Sequence, residues 1–152
     1  MSQPIRVKSI LPVDPAPSTY NAFVASITHM NVSTIKVTGE RTAGGNAANT
    51  KFELSSQYQI KPNKVLYRFD ARGDIVDADK ATLGNIETSV LVTFNTSIEQ
   101  PDEACIKQFG ATSAAMIAHP YLRESLSATA LRIGIPGIVL PILTQEPVTN
   151  SD

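Results

Sequence analysis

Residues 51–75 read KFELSSQYQIKPNKVLYRFDARGDI, and the alternation in this stretch decides the fold class. Phe52, Leu54, Tyr58 and Ile60 alternate with Glu53, Ser55, Gln57, Gln59 and Lys61. A period of two puts one row toward a core and the other toward water, as in a half-buried strand. Pro62, Asn63 and Lys64 turn the chain round. Val65, Tyr67, Phe69, Ala71 and Ile75 continue the apolar row against Arg68, Asp70, Arg72 and Asp74, and Asp77, Ala78, Asp79 and Lys80 form a second polar turn. Ile86, Thr88, Val90, Val92, Phe94 and Ile98 alternate again, with Glu87, Ser89, Thr93 and Asn95 between them. Three long strands on short turns predict an antiparallel meander, and the strand-favouring Val32, Ile35 and Val37 add a fourth.

Working outward, the period changes after Pro101 from two to about three and a half. Asp102 is placed to cap a helix and Glu103 lies in its first turn. Ala115, Ala118, Leu122, Leu126, Ala130 and Ile133 recur at steps of three or four and line one helical face. Pro120 should either kink this helix or open a new one, because it withholds a donor and crowds the preceding turn. Gly134 followed by Pro136 ends it. On the N-terminal side, Tyr20, Phe23, Val24 and Ile27 after Ser18 carry the spacing of a short helix with Ser18 as its cap. Residues 1–17, rich in proline, read as an arm or linker, residues 18–143 as one domain, and residues 144–152 as a disordered tail. Residues 44–49 form a small-residue loop without the Lys and following Ser or Thr of a phosphate cradle.

The fold class is therefore α+β: a four-stranded antiparallel sheet, meander or Greek-key-like, packed by a long C-terminal helix. A helix of about 25 residues, near 40 Å long, shields only part of one face of such a sheet. Self-association or a binding groove is expected to cover the apolar remainder.

The charge balance narrows the function. Thirteen basic and fourteen acidic residues of 152, with no local Lys or Arg cluster, argue against nucleic acid and anionic membranes as partners. No segment reads as a signal peptide or transmembrane span, and the single Cys105 suits a reducing compartment, so a cytoplasmic location is expected.

Catalytic chemistry is hard to assemble from the inventory. His29 and His119 lack neighbours in metal-ligand spacing, Cys105 reads as a small buried residue, and Ser125 and Ser127 have no glycine elbow. Asp70, Asp74, Asp77 and Asp79 lack a glycine-centred calcium loop. No cofactor, no metal and no enzyme activity are expected. The rival enzyme reading, a hot-dog-like or cyclase-like pocket, would have to use Asp70, Asp74 and His119. A third reading is an adaptor whose apolar surface is consumed by oligomerisation.

The last third of the chain offers more. Gly110 and Ala111, then Pro120, Tyr121, Leu122, Arg123 and Glu124, then Pro136 and an apolar stretch closed by Leu140 and Pro141, resemble the SecB family of export chaperones. The match covers about a fifth of the chain and is a family signature, not a reactive motif. The resemblance implies an ATP-independent holdase that assembles as a dimer of dimers, its long helix packing the tetramer. Apolar grooves would hold unfolded or pre-export polypeptides. By that analogy the groove draws on Tyr58, Tyr67, Phe69, Val92 and Phe94 with Ile138 and Leu140 beside it. Pro120, Tyr121, Leu122, Arg123, Glu124 and Leu126 would shape the helix and its subunit packing. Arg123 and Glu124 are adjacent, so their partners must lie on other elements or subunits. The chain departs from the family after Pro141, where the usual second amphipathic helix is expected to be missing. In the family that helix borders the groove, and acidic surfaces with the tail engage the SecA motor. Their absence, at a net charge of −1, weakens the expectation of delivery to the translocon and leaves room for a dedicated client such as an antitoxin.

Overall fold

The computed structural model describes residues 15–141, so the arm expected over most of 1–17 and the tail expected at 144–152 lie outside the described residues. The chain runs α1 (Pro17–Ala25), β1 (Ile27–Arg41), β2 (Asn49–Lys61), β3 (Lys64–Val76), β4 (Thr82–Thr96), α2 (Glu103–Phe109), a π-helical turn (Gly110–Ala114) and α3 (Ala115–Arg132). All strand pairs are antiparallel, in the order β1-β4-β3-β2. The expected meander of β2, β3 and β4 is present. β1 closes on β4 through a connection over residues 42–48 that crosses from one sheet edge to the other, giving a Greek-key order. That connection is pinned at the β3–β4 end: Thr42 and Ala43 amides donate to the Leu83 carbonyl, and the Ala48 amide donates to that of Val76.

Local chemistry sets the turns. Asn63 takes φ +59° in the tight β2–β3 turn, a conformation Asn tolerates, and its side-chain amide donates to the Thr96 carbonyl at 3.1 Å. Asp77 closes the β3–β4 turn by accepting from the Asp79 and Ala81 amides, both at 2.9 Å, so this carboxylate serves the turn.

At the start of α1, Ala16 occupies the N-cap position without a side-chain bond and Pro17 sits at the first turn, so Ser18 is inside the helix and not its cap. Pro17 brings a pre-set φ and has no N–H to satisfy, which does the work expected of Ser18. Ile27, expected on this helix, opens β1 instead.

Asp102 caps α2 as expected, accepting from the Ala104 amide at 2.7 Å. α3 ends in a Schellman arrangement: Gly134 at φ +83° donates to Leu131 and Ile135 donates to Ala130. Arg41 reinforces this end by donating to the Gly134 carbonyl at 2.8 Å and the Ile133 carbonyl at 3.3 Å. Pro120 lies inside α3 on the exposed side with Met116, four residues back, so the carbonyl left without an amide partner faces water. The departure from α-helical geometry comes earlier, over Gly110–Ala114, and not at Pro120.

The helices cover one face of the sheet. Val65, Tyr67, Phe69, Ala71 and Ile75 of β3 and Ile86, Thr88, Val90, Val92 and Phe94 of β4 are buried there beneath Ala115, Ala118, Leu122, Leu126 and Ala130. Phe23, Phe94, Phe109 and Tyr67 form an aromatic cluster at one end, with Phe94–Phe109 centroids 5.1 Å apart. The opposite face is polar. Arg68 pairs with Asp70 at 3.0 Å, Arg72 with Asp74 at 3.3 Å and Lys36 with Glu87 at 3.4 Å. The apolar surplus is thus not a whole uncovered face, because alternation keeps that face polar. It lies at the margins: Met30, Ile35 and Val37 on β1, Ile60 on β2, and Met116, Tyr121 and Leu131 on α3.

Candidate functional site

The site is built on β2, an edge strand. Its register with β3 places Phe52, Leu54, Tyr58 and Ile60 on the helix-covered side of the sheet, opposite Gly73, Ala71, Tyr67 and Val65. The helical layer does not reach this far. Phe52, Leu54 and Tyr58 are half-buried and Ile60 is 37% exposed, whereas the β3 residues beside them are buried. The result is a partly covered apolar row along a sheet edge.

Two walls flank the row. At one end Tyr58 leans on Tyr67, with centroids 6.5 Å apart, and its hydroxyl donates to the Glu103 carboxylate of α2 at 2.6 Å. Its pKa is pushed up to about 12, first by burial, then by the hydrogen bond to Glu103 and last by the Glu103 charge. At the other end residues 47–50 and Phe52 face residues 136–139 across a groove of about 280 Å³. Residues 135–141 run back along α3, with Ile135, Ile138 and Leu140 buried. Ser127 donates to the Ile138 carbonyl at 2.7 Å, and His119 Nε2 donates to the Pro141 carbonyl at 2.8 Å.

The residues singled out in the sequence separate into layers. Tyr58 presents surface. Tyr67, Phe69, Val92, Phe94, Ile138 and Leu140 are buried, and the Tyr67 hydroxyl donates to the Ile106 carbonyl at 2.6 Å. Of the signature residues, Leu122 and Leu126 are core, while Pro120, Tyr121, Arg123 and Glu124 lie on the exposed side of α3. Phe52, Leu54 and Ile60 share the alternation of Tyr58 but were not singled out; their signal is the same period on a strand whose edge position periodicity does not encode.

The arrangement does not gather a catalytic set. Asp70 and Asp74 face away from the helices in pairs with arginines, while His119 is on α3 against the other face, so the sheet separates the histidine from both carboxylates. Burial raises the pKa of the Cys105 thiol and favours its protonated form. Ser125 accepts from Thr88 at 3.1 Å and Ser127 is bonded to backbone. Among the described residues no three His, Cys, Asp or Glu side chains converge as metal ligands, and no helix is long and apolar enough to cross a membrane.

No family model matches the chain, and no curated protein matches it by sequence. Among solved structures it is similar to the Mycobacterium tuberculosis SecB-like chaperone Rv1957, solved in complex with a ChAD peptide from the Rv1956 HigA1 antitoxin. The TM-score is 0.71 at 16% identity, over 84% of this chain and 99% of that one. The fold is therefore SecB-like, as the signature residues implied.

Proposed function

We propose that this chain is an ATP-independent holdase chaperone that binds unfolded polypeptide segments along β2. The observation that carries the reading is the half-exposed apolar row of Phe52, Leu54, Tyr58 and Ile60 on an edge strand of a SecB-like fold. An extended segment can pair its backbone with that edge and lay alternate side chains on the row. Each apolar side chain half-covered in this way contributes about 1 kcal/mol, while each ordered residue costs about 1–2 kcal/mol. Several contacts must act together, which suits clients that are unfolded and apolar over some length. The buried Tyr67, Phe69, Val92 and Phe94 support the row from beneath, and Ile138 and Leu140 hold the wall beside it.

Between export and a dedicated client, the latter is better supported, because the similar chaperone is complexed with an antitoxin peptide. On the outer face Asp70, Asp74 and Glu87 are each paired with a cation, which argues against these three as an acidic docking surface for a SecA-type motor. Homo-oligomerisation, as a dimer or a tetramer, would cover Met30, Ile35 and Val37 of β1 and Met116, Tyr121 and Leu131 of α3. Pro120, Arg123 and Glu124 lie on that same outer side of α3. The reading involves neither catalysis nor a cofactor, and places the protein in the cytoplasm.

The test is solution mass by light scattering, followed by suppression of aggregation of a denatured protein at stoichiometric ratio without ATP. A dimer or tetramer that keeps the client soluble, and loses this ability in Leu54→Lys/Ile60→Lys, is the expected result. A monomer, or an oligomer without suppression, overturns it.

A further inference from the structure

α2 is set apart from the rest of the helical layer. It is seven residues long and continues into α3 only through the π-helical turn Gly110–Ala114. Such turns interrupt the regular bond ladder and recur at functional positions. Gly110, which opens the turn, faces the Tyr67 ring so closely that a Cβ there would lie 2.6 Å from Cε1. Phe109 of α2 packs on Tyr67 and Phe94 beneath the helix, and on its open side the Tyr58 ring of β2 stands against Tyr67. Tyr58 is held in that position by its bond to Glu103, an exposed contact between side chains of two different elements.

We infer that α2 is a cover, hinged at the π-helical turn and latched on its outer side by Tyr58 and Glu103, and that its opening, which also releases the Tyr67 hydroxyl from the Ile106 carbonyl, admits an apolar client side chain beside Tyr67. The inference rests on the chaperone reading for its client, but the latch itself does not. The opening joins the aromatic cluster to the row of Phe52, Leu54 and Ile60, so that one extended segment spans both. It also accounts for Tyr67, Phe69 and Phe94 lying next to the proposed client surface while being buried in the closed form.

Cys105 supplies a reporter without engineering. It is the only cysteine, it lies on α2, and it is fully buried. Its labelling by a thiol-specific disulfide reagent in the full chain therefore measures opening of the cover. Tyr58→Phe and Glu103→Ala should each raise the labelling rate about five- to tenfold, the size of one lost hydrogen bond, and the double variant should be no faster than either. Lys107→Ala, which removes only the weak Glu103–Lys107 pair at 3.9 Å, should leave the rate unchanged. A rate that stays flat in low urea identifies local opening, because global unfolding would make it climb steeply. A permanently unfolded, carboxymethylated test protein should accelerate labelling saturably. Unchanged rates in Tyr58→Phe and Glu103→Ala, or a steep urea dependence, overturn the latch even where the wild-type chain suppresses aggregation. Rates that respond to the substitutions in a chain that binds no client leave the latch standing and remove the chaperone reading.

Discussion

Strands β2 and β3 carry the same two-residue alternation and lie side by side, with Tyr58 opposite Tyr67 and Ile60 opposite Val65. Their apolar rows point to the same side of the sheet. Yet Val65 is fully buried and Tyr67 nearly so, whereas Ile60 is 37% exposed and Tyr58 is half-covered. The difference is one of position alone: β3 is flanked by β2 and β4 and lies under the helices, while β2 has a neighbour on one side and helical cover over only part of its length. An apolar row at a margin is stabilising only in part, and what it does not bury internally is available to another chain.

The widest separation between the two strands should come from truncating the facing tyrosines. Tyr67→Ala removes a buried ring from contact with Phe69, Phe94 and Phe109 and leaves the Ile106 carbonyl with the Gly110 amide as its remaining donor, at a cost of about 3–5 kcal/mol in urea unfolding. Tyr58→Ala should cost about 1 kcal/mol. Equal losses would mean that β2 is as much a part of the core as β3.

Gly110→Ala probes the helical side of the same boundary. Ala is the better helix former by about 1 kcal/mol, but its Cβ would press on the Tyr67 ring. Overpacking of this kind costs about 1–3 kcal/mol, so a net loss of about 1 kcal/mol is expected. Combining it with Tyr67→Leu, which removes the ring edge, should recover part of that loss. A stabilised single variant would show that the ring has room to yield.

The alternation over residues 52–98 was enough to specify three strands, their turns and the covered face, because period and face are the same property in a strand. The helical stripe from Ala115 to Ala130 and the stop at Gly134 were legible for the same reason. What alternation does not carry is rank within the sheet. Tyr58, Tyr67, Phe69, Val92 and Phe94 read alike, although only Tyr58 lies on an edge, and Phe52, Leu54 and Ile60, legible as its row, carry no sign of being marginal. The crossing of residues 42–48 fixes that rank, and it depends on long-range bonds to Leu83 and Val76 that no local pattern announces. The close approach of Gly110 to the Tyr67 ring was hidden likewise, since the two lie 43 positions apart in the chain. Pro120, the conspicuous irregularity in the sequence, sits on the solvent side of α3, where a lost hydrogen bond is replaced by water.

Charge on the marginal row should separate binding from stability. Ile60→Lys places an ammonium on β2 at an exposed position and Leu54→Lys at a half-buried one, and in both a long side chain can reach water with its charge. Ile60→Lys should lower folding stability by about 0.5 kcal/mol and Leu54→Lys by about 1 kcal/mol. Loss of aggregation suppression with the fold retained would confirm that the row serves clients; loss of the fold would return β2 to the core.

The smallest effect expected is a titration. Burial first, and Glu103 second, hold the Tyr58 pKa near 12, against about 10 for a tyrosine in an unfolded chain. Below pH 10 both states keep the proton, and the contribution of the pair is fully present. Between pH 10 and 12 the unfolded chain sheds its proton first, so unfolding becomes more favourable as pH rises. The wild-type minus Tyr58→Phe difference in ultraviolet absorbance should therefore titrate near 12. Glu103→Ala should move that midpoint only part of the way toward 10, because burial by Tyr67 and the sheet remains. The facing Tyr67, whose pKa burial raises further, should not ionise before the protein unfolds. A Tyr58 midpoint at 10 would place its hydroxyl in open water and erase the contact between β2 and α2 on which the latch depends.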